Sequence, residues 1–370
     1  MQPSSPHRVI ISGGGTGGHI FPAIAIAKAL QKMEPGIELL FVGALGKMEM
    51  EKVPAAGFKI EGLNITGIKR EFSFQNFKWP FKLMHSLVNA GAIINRFKPQ
   101  AAVGVGGYAS GPLLYMATRK KIPSLIQEQN SYPGITNKLL AKRVQRICVA
   151  YDEMERFFPA DKIIKTGNPV RADILEINGK KSEAAKFFNL DENKTTLLIV
   201  GGSQGARSIN QSVLKGLSKL SEAGIQLIWQ TGKLFFLQAN EAIEKLNNPG
   251  IRAFDFISRM DLAYAMSNVV LARGGASTVS ELCLVGKPVI LVPLPTAAED
   301  HQTKNCMALV ERDAAILVKD ADAANNLIDE ALKLVADQPL QHKMINNIRS
   351  LAIVNSAEKI AGEVLSLIKR

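Results

Sequence analysis

The chain has 370 residues, 46% of them apolar and 21% charged, with 45 Lys and Arg against 33 Asp and Glu. This length exceeds what a single hydrophobic core normally supports and predicts two domains. The apolar content excludes an intrinsically disordered protein. Three widely spaced cysteines provide neither a disulfide framework nor a zinc motif, which favours a reducing compartment.

The net charge of +12 lies entirely in the first part of the chain. Residues 1–150 hold 19 basic and 7 acidic side chains, whereas residues 151–370 hold 26 of each. Such an imbalance indicates an anionic partner for the first part, either nucleic acid or an acidic membrane surface.

The sequence predicts neither a signal peptide nor a membrane-spanning helix. Only residues 9–11 form an apolar run before the first glycines. The uncharged segment 99–118 is interrupted by glycines and Pro112, which favours a buried strand, a glycine turn and a helix start. We therefore expect a soluble, cytoplasmic protein that contacts a membrane at most from one side.

Short β-branched runs alternate with helical patterns along the chain, which is typical of βαβ units and parallel sheets. The series restarts after about residue 168. This pattern predicts an α/β protein with two doubly wound, Rossmann-like domains that face each other across a cleft. The predicted strands are residues 8–12, 38–42, 101–105, 124–127, 145–149 and 162–165, then 196–200, 226–230, 251–256, 269–272, 288–292 and 315–318.

Each predicted domain contains two glycine turns that follow strands. In open α/β sheets, ligands bind beyond the carboxyl ends of the strands, where such turns lie. A ligand site at these turns, in the cleft between the domains, is therefore expected. The turns span residues 13–18, 106–111, 201–205 and 274–278.

The first turn matches the dinucleotide fingerprint in form, with Gly13, Gly15 and Gly18. The next strand ends at residues 41–46 without the acid that would hold a ribose, and the turn lacks the Gly-Lys-Ser/Thr of a P-loop. An NAD site and a purely structural turn remain alternatives to a loop that contacts a sugar or diphosphate. His19, at the helix start, suits a general base as well as it suits a capping or packing residue.

In the second half, the turn at residues 201–206 opens a helix whose free N–H groups form an anion site. The turn at 273–278 leads to Glu281, which is either a helix-dipole partner or a ribose ligand. Arg171 is placed to reach a diphosphate, or is a surface residue. The histidines show no metal-ligand spacing, and the acids at 320 and 322 favour a helix cap. We expect no metal and no cofactor.

Aromatic and basic side chains alternate over residues 69–83. This composition favours a patch at a membrane interface. A core-packing segment with solvated lysines is an alternative, and stacking on single-stranded nucleic acid lacks a supporting fold motif. The patch residues are Lys69, Arg70, Phe72, Phe77, Lys78, Trp79, Phe81 and Lys82.

Six motifs in order, covering nearly the whole chain, resemble the MurG family of bacterial glycosyltransferases. These motifs are residues 14–19, 104–108, 128–130, 167–171, 201–206 and 273–281. The resemblance implies a GT-B fold. It assigns acceptor and membrane binding to residues 1–168, joined by a C-terminal helix at 353–370, and UDP-GlcNAc binding to residues 169–352.

The resemblance also implies a reaction in peptidoglycan synthesis. N-acetylglucosamine would move from UDP-GlcNAc to the C4 hydroxyl of the muramyl sugar in undecaprenyl-pyrophosphoryl-MurNAc-pentapeptide. The transfer would invert the anomeric carbon without a metal. The protein would lie peripherally on the cytoplasmic face of the inner membrane, against anionic lipid, and would not bind nucleic acid.

The family's site residues carry over to matching positions. His19 is the first choice of general base, ahead of Glu128, and Thr303 stands where some members have a second glutamine. The substrate-binding positions, all of them donor positions except Tyr108, are Thr16, Gly17, Gly18, Tyr108, Asn130, Arg171, Ser203, Ile257, Met260, Ala276, Ser277, Thr278, Glu281 and Gln302.

Roles follow for some of these positions. The resemblance assigns uracil to backbone groups of Ile257, the ribose to Glu281, and the diphosphate to Ser203 and Arg171. Two amides would hold the sugar: Asn130 and Gln302. A sugar-nucleotide epimerase and a non-catalytic nucleic-acid-binding protein remain alternatives.

Overall fold

The computed structural model describes residues 6–66, 79–170, 172–202 and 205–369. Its backbone packing divides the chain into two compact units. One comprises Met1–Val170 with Val354–Arg370, and the other comprises Arg171–Ile353. The two units are called unit 1 and unit 2.

Unit 1 contains a parallel sheet of seven strands. In chain order these are β1 (Arg8–Ser12), β2 (Glu38–Ala44), β3 (Lys59–Leu63), β4 (Ala101–Gly104), β5 (Ser124–Glu128), β6 (Arg146–Val149) and β7 (Ile163–Lys165). The strand order across the sheet is β3-β2-β1-β4-β5-β6-β7. The chain leaves β1 in one direction and later returns to its other side at β4, so these two strands mark the topological switch point.

Helices cover both faces of this sheet. They are α1 (Gly17–Met33), α2 (Glu49–Ala55), α3 (Trp79–Phe97), α4 (Ser110–Arg119), α5 (Ile135–Leu140) and, from the end of the chain, α15 (Ser356–Ile368). Val9 and Ile11 pack on the face covered by α1 and α15. Ile10 packs on the opposite face, against α3 and α4. This alternation follows from the two-residue period of a strand buried on both sides.

Unit 2 contains a parallel sheet of six strands. They are β8 (Thr196–Val200), β9 (Gln226–Gln230), β10 (Ile251–Phe254), β11 (Val269–Ala272), β12 (Val289–Leu291) and β13 (Ile316–Leu317). The order is β10-β9-β8-β11-β12-β13, with the switch point between β8 and β11. The helices are α6 (Lys181–Phe188), α7 (Arg207–Lys215), α8 (Leu217–Glu222), α9 (Lys233–Leu246), α10 (Met260–Met266), α11 (Ala276–Val285), α12 (His301–Val310), α13 (Ala323–Ala336) and α14 (Gln338–Ser350).

The two Rossmann-like parallel sheets predicted from the sequence are confirmed. One strand, β3, was not predicted. Its sequence alternates Lys59 and Glu61 with apolar residues and includes Gly62, so it lacks a β-branched run. This composition suits its position, because β3 is an edge strand that, among the described residues, pairs only with β2.

Candidate functional site

In unit 1, two glycine turns meet at the switch point. The turn after β1 and the turn after β4 touch through the N–H of Gly14, which donates to the carbonyl of Gly106 at 3.3 Å. Gly107 has a φ of +90°, and a Cβ there would lie 2.3 Å from the carbonyl oxygen of Gly14. Glycine is therefore required at this contact, because the two backbones leave no space for a side chain.

His19 lies in the first turn of α1, beside these glycines. Its Nδ1 is 3.2 Å from Oγ1 of Thr16, within hydrogen-bond distance. Its ring lies against Gly106, where a Cβ would be 2.8 Å from Nε2. Thr16 and the second turn together fix the orientation of the imidazole.

Glu49, at the start of α2, forms a hydrogen bond to the turn after β1. It was not predicted as a site residue. It is 1% exposed. Its Oε2 accepts from the N–H of Gly15 at 2.9 Å, and its Oε1 accepts from the N–H of Ala44 at 3.0 Å. Glu49 is therefore an acid near the end of β2, just after residues 41–46. Its carboxylate oxygens accept hydrogen bonds from backbone N–H groups.

Glu128 ends β5 and is 2% exposed. Oε1 accepts from the backbone and side-chain nitrogens of Asn130 at 3.0 and 3.1 Å. Oε2 accepts from the N–H of Gly134 at 3.1 Å and from Nδ2 of Asn137 at 2.8 Å. Burial raises the pKa of Glu128 above its ordinary value, and these hydrogen bonds oppose the increase. The carboxylate ties together the loop that follows β5.

The structure thus brings several predicted positions of unit 1 to the carboxyl ends of three adjacent strands, β1, β4 and β5. Tyr108, in the turn after β4, is 49% exposed. Asn137 and Glu49 were missed because they contact backbone or another side chain, which motif spacing alone does not reveal. The predicted positions gathered here are Thr16, Gly17, Gly18, His19, Tyr108, Glu128 and Asn130.

In unit 2, the corresponding turns follow β8 and β11. Gly205 has a φ of +79°, and a Cβ there would lie 2.2 Å from the carbonyl oxygen of Thr231. Gln230, another residue that the sequence did not indicate, connects two segments of the site. Its Nε2 donates to the carbonyl of Gly202 at 3.0 Å, and its Oε1 accepts from the N–H of Ile257 at 2.9 Å. The N–H of Ile257 is therefore already bonded within the protein.

The turn after β11 leads directly into α11, whose first residues are Ala276, Ser277 and Thr278. The N–H groups of a helix's first turn have no acceptor within the helix, and such groups favour a negatively charged partner. Glu281 follows one helical turn later, and its Oε2 accepts a hydrogen bond from Tyr264 Oη at 3.1 Å. The tyrosine thus restrains the carboxylate at the helix surface.

Gly274 brings α12 close to this turn, because a Cβ at Gly274 would lie 2.8 Å from the carbonyl oxygen of Gln302. The side-chain Oε1 of Gln302 accepts from the N–H of Leu294 at 2.9 Å. Met260, at the start of α10, is 9% exposed and belongs to the hydrophobic core of unit 2. Two predicted diphosphate ligands, Arg171 and Ser203, lie outside the described residues.

Of the two acids expected at a helix cap, Asp322 stands at the N-cap position of α13. Asp320 instead forms an ion pair with Arg273, whose Nη2 also donates to Ser208 Oγ at 3.0 Å. The side chain of Asp322 makes no capping hydrogen bond at the start of α13. Within the described ranges, no group of three or more His, Cys, Asp or Glu side chains is arranged to hold a metal ion.

The predicted membrane patch is only partly described. Phe81 is 79% exposed on α3, and Met84 and Val88, which were not predicted, are each 64% exposed at the same helix face. No helix in the described part of the chain has both the length and the apolar content to span a bilayer. The predicted residues outside the described set are Lys69, Arg70, Phe72, Phe77, Lys78 and the side chain of Trp79.

Comparison with known proteins gives consistent matches along the chain. Residues 9–149 match the glycosyltransferase family 28 N-terminal domain, and residues 196–362 match the glycosyltransferase family 28 C-terminal domain. A relative from Parabacteroides distasonis is 52% identical over 98% of this chain and 99% of its own length. One from Cytophaga hutchinsonii is 51% identical over 100% and 99%. Both are named UDP-N-acetylglucosamine--N-acetylmuramyl-(pentapeptide) pyrophosphoryl-undecaprenol N-acetylglucosamine transferase.

Among solved structures, MurG from Acinetobacter baumannii superposes with a TM-score of 0.79 at 27% identity, covering 98% of this chain and 100% of the other. A UDP-GlcNAc 2-epimerase from Neisseria meningitidis has a TM-score of 0.67 at 18% identity, covering 97% and 100%, which shows a shared fold only. The resemblance drawn from the motifs is confirmed: the chain belongs to glycosyltransferase family 28, and within it to the MurG family.

Proposed function

We propose that this chain transfers N-acetylglucosamine from UDP-GlcNAc to the C4 hydroxyl of the muramyl sugar in undecaprenyl-pyrophosphoryl-MurNAc-pentapeptide. The observation that carries the proposal is the 52% identity to a transferase of that name, over 98% of this chain and 99% of the relative. The aligned region includes both glycosyltransferase family 28 domains, at residues 9–149 and 196–362.

Unit 2 is assigned the uridine and the diphosphate of the donor. Anionic diphosphate would lie at the N-terminal ends of α7 and α11, where unpaired N–H groups and the helix dipole favour negative charge. Glu281, restrained by Tyr264, would accept hydrogen bonds from the ribose hydroxyls. The carbonyl of Ile257 would accept from uracil N3–H, since its N–H is held by Gln230. The remaining donor contacts are assigned to Ser203 and Arg171 at the diphosphate, and to Asn130 and Gln302 at the sugar.

The transfer is proposed to invert the anomeric carbon. The muramyl hydroxyl would attack from the face opposite UDP and would lose its proton to His19, acting as the general base. Glu128 is the weaker candidate, because both of its oxygens already accept hydrogen bonds from loop nitrogens. UDP leaves as an anion, and the helix N-termini would stabilise it without a metal ion.

Unit 1 is assigned the lipid acceptor and the membrane surface. The exposed apolar face of α3, with Phe81, Met84 and Val88, would enter the interfacial layer of the cytoplasmic leaflet. The positive charge of residues 1–150 would attract anionic lipid. This assignment accounts for the charge imbalance without a nucleic-acid partner.

The test incubates the protein with labelled UDP-GlcNAc and lipid-linked muramyl pentapeptide, with and without EDTA. Label should enter the lipid as a β-linked disaccharide at equal rates in both samples. His19→Ala should lower kcat about 10²-fold or more. His342→Ala, exposed on α14, is the matched control and should leave kcat unchanged. Conversion of UDP-GlcNAc to an epimer instead of transfer would contradict the proposal.

A further inference from the structure

We propose that Glu49 is a positioning residue: its buried carboxylate fixes the first glycine turn and thereby the position of His19. Only the predicted effect on kcat rests on the proposed function. The positioning itself is a property of unit 1 that is measurable without any reaction.

The carboxylate joins two segments that are distant in sequence. Oε1 accepts from the N–H of Ala44, the last residue of β2, at 3.0 Å. Oε2 accepts from the N–H of Gly15, in the turn after β1, at 2.9 Å. Glu49 is 1% exposed, so these two N–H donors replace the water that would otherwise solvate its carboxylate. Loss of either donor would leave a buried carboxylate oxygen without a hydrogen bond, which is energetically costly.

Two glycines lie close against the side chain of Glu49. A Cβ at Gly14 would lie 2.2 Å from Oε1 of Glu49, and a Cβ at Gly43 would lie 2.5 Å from its Cγ. Glycine at both positions lets the side chain pass between the sheet and the turn. The carboxylate is therefore part of the packed support beneath the turn.

The contacts continue from the turn to the imidazole. Gly15 precedes Thr16, whose carbonyl accepts from the N–H of His19 at 3.1 Å and whose Oγ1 lies 3.2 Å from Nδ1. A turn released at Gly15 would let Thr16 and His19 move together. Since a shift of about 1 Å in a reacting group costs on the order of 10²-fold in rate, the effect on turnover should be large.

The function of Glu49 requires an acceptor at both oxygens. In Glu49→Gln the amide NH₂ would face an N–H of either Gly15 or Ala44, so one of the two contacts is lost with little change in volume. The effect should appear in the turn and in kcat, and not in binding of UDP, whose contacts are assigned to unit 2.

The experiment compares Glu49→Gln with wild type by hydrogen–deuterium exchange mass spectrometry and by steady-state kinetics. Exchange in residues 13–19 should become faster while the rest of unit 1 stays protected. The kcat should fall roughly 10- to 100-fold, while the inhibition constant of UDP, whose assigned contacts lie in unit 2, should stay within about twofold. Glu51→Gln, an exposed residue of the same helix, should match wild type in both measurements.

Gly43→Ala provides a second perturbation, because it displaces the Glu49 side chain without substituting any residue of the turn or changing any charge. It should produce the same local increase in exchange. Wild-type exchange and kcat in Glu49→Gln would overturn the inference, as would a uniform increase across unit 1, which indicates only lost stability. If wild type transfers no sugar, the proposed function fails, and the exchange measurement still decides the role of Glu49.

Discussion

Replacing Gly106 by alanine places a methyl group where the imidazole of His19 lies. The new Cβ would be 2.6 Å from Cδ2 and 2.8 Å from Nε2 of that ring. Carbon atoms in contact are normally about 3.5 Å apart, so the ring would have to move by about 1 Å. Gly106→Ala therefore shifts the proposed base without changing its chemistry.

Two effects contribute to the expected magnitude. Gly106 has a φ of +97°, and alanine in the left-handed region costs about 1–2 kcal/mol, partly offset by about 0.4–1 kcal/mol from a less flexible unfolded chain. A net loss near 1 kcal/mol corresponds to a Tm lowered by roughly 2–4 °C. The displaced base should lower kcat by about 10²-fold.

Gly36→Ala separates the two effects. Gly36 has a φ of +96°, and a Cβ there meets nothing within 4 Å. Thermal unfolding should therefore show a fall in Tm for both variants, while transfer assays should show normal kcat for Gly36→Ala and a 10²-fold loss for Gly106→Ala. Equal kcat in the two variants would refute the argument that the position of His19 controls turnover.

Three further predictions concern other parts of the molecule. Burial, together with nearby basic side chains, lowers the pKa of Lys287 to about 8. In the unfolded chain the lysine pKa is about 10.4, so between pH 8 and 10.4 the unfolded chain binds more protons than the folded chain. Wild type should therefore gain up to about 3 kcal/mol of stability relative to Lys287→Met as the pH rises from 8 to about 10.4. Urea unfolding across that range checks this, and parallel curves would contradict it. Gly205→Ala should raise the KM for UDP-GlcNAc about tenfold, because the new Cβ would lie 2.2 Å from the carbonyl oxygen of Thr231 and displace the turn after β8. Gly224→Ala is the control and should leave this KM unchanged, because Gly224 also has a positive φ but a Cβ there meets nothing within 4 Å. Phe81→Ser should weaken sedimentation with anionic vesicles, and Leu234→Ser, a 98% exposed control in unit 2, should leave it unchanged; equal binding by both variants would remove α3 from the membrane contact.

The sequence predicted the two parallel sheets because their central strands are continuous apolar runs, as in Ile10 and Ile11 of β1. It missed β3, where a charged edge strand has no such run. The glycine turns were predicted correctly because close backbone contacts, such as that of Gly107 with Gly14, require the absence of a side chain.

The supporting side chains of the candidate site were not predictable in the same way. Glu49 lies beyond the end of β2, and Gln230 is the last residue of an apolar strand. Both bind backbone groups of segments far away in sequence, at Gly15 and Ile257. A motif records which residues precede or follow each other, whereas these contacts depend on which strands become neighbours in the sheet.

The most direct test of the central claim measures both products of one reaction. With radiolabelled UDP-GlcNAc and purified lipid-linked muramyl pentapeptide, one UDP should be released for each N-acetylglucosamine incorporated into the lipid, and none when the lipid is omitted. Release of UDP without labelled lipid, or an altered sugar nucleotide with no lipid product, would contradict it.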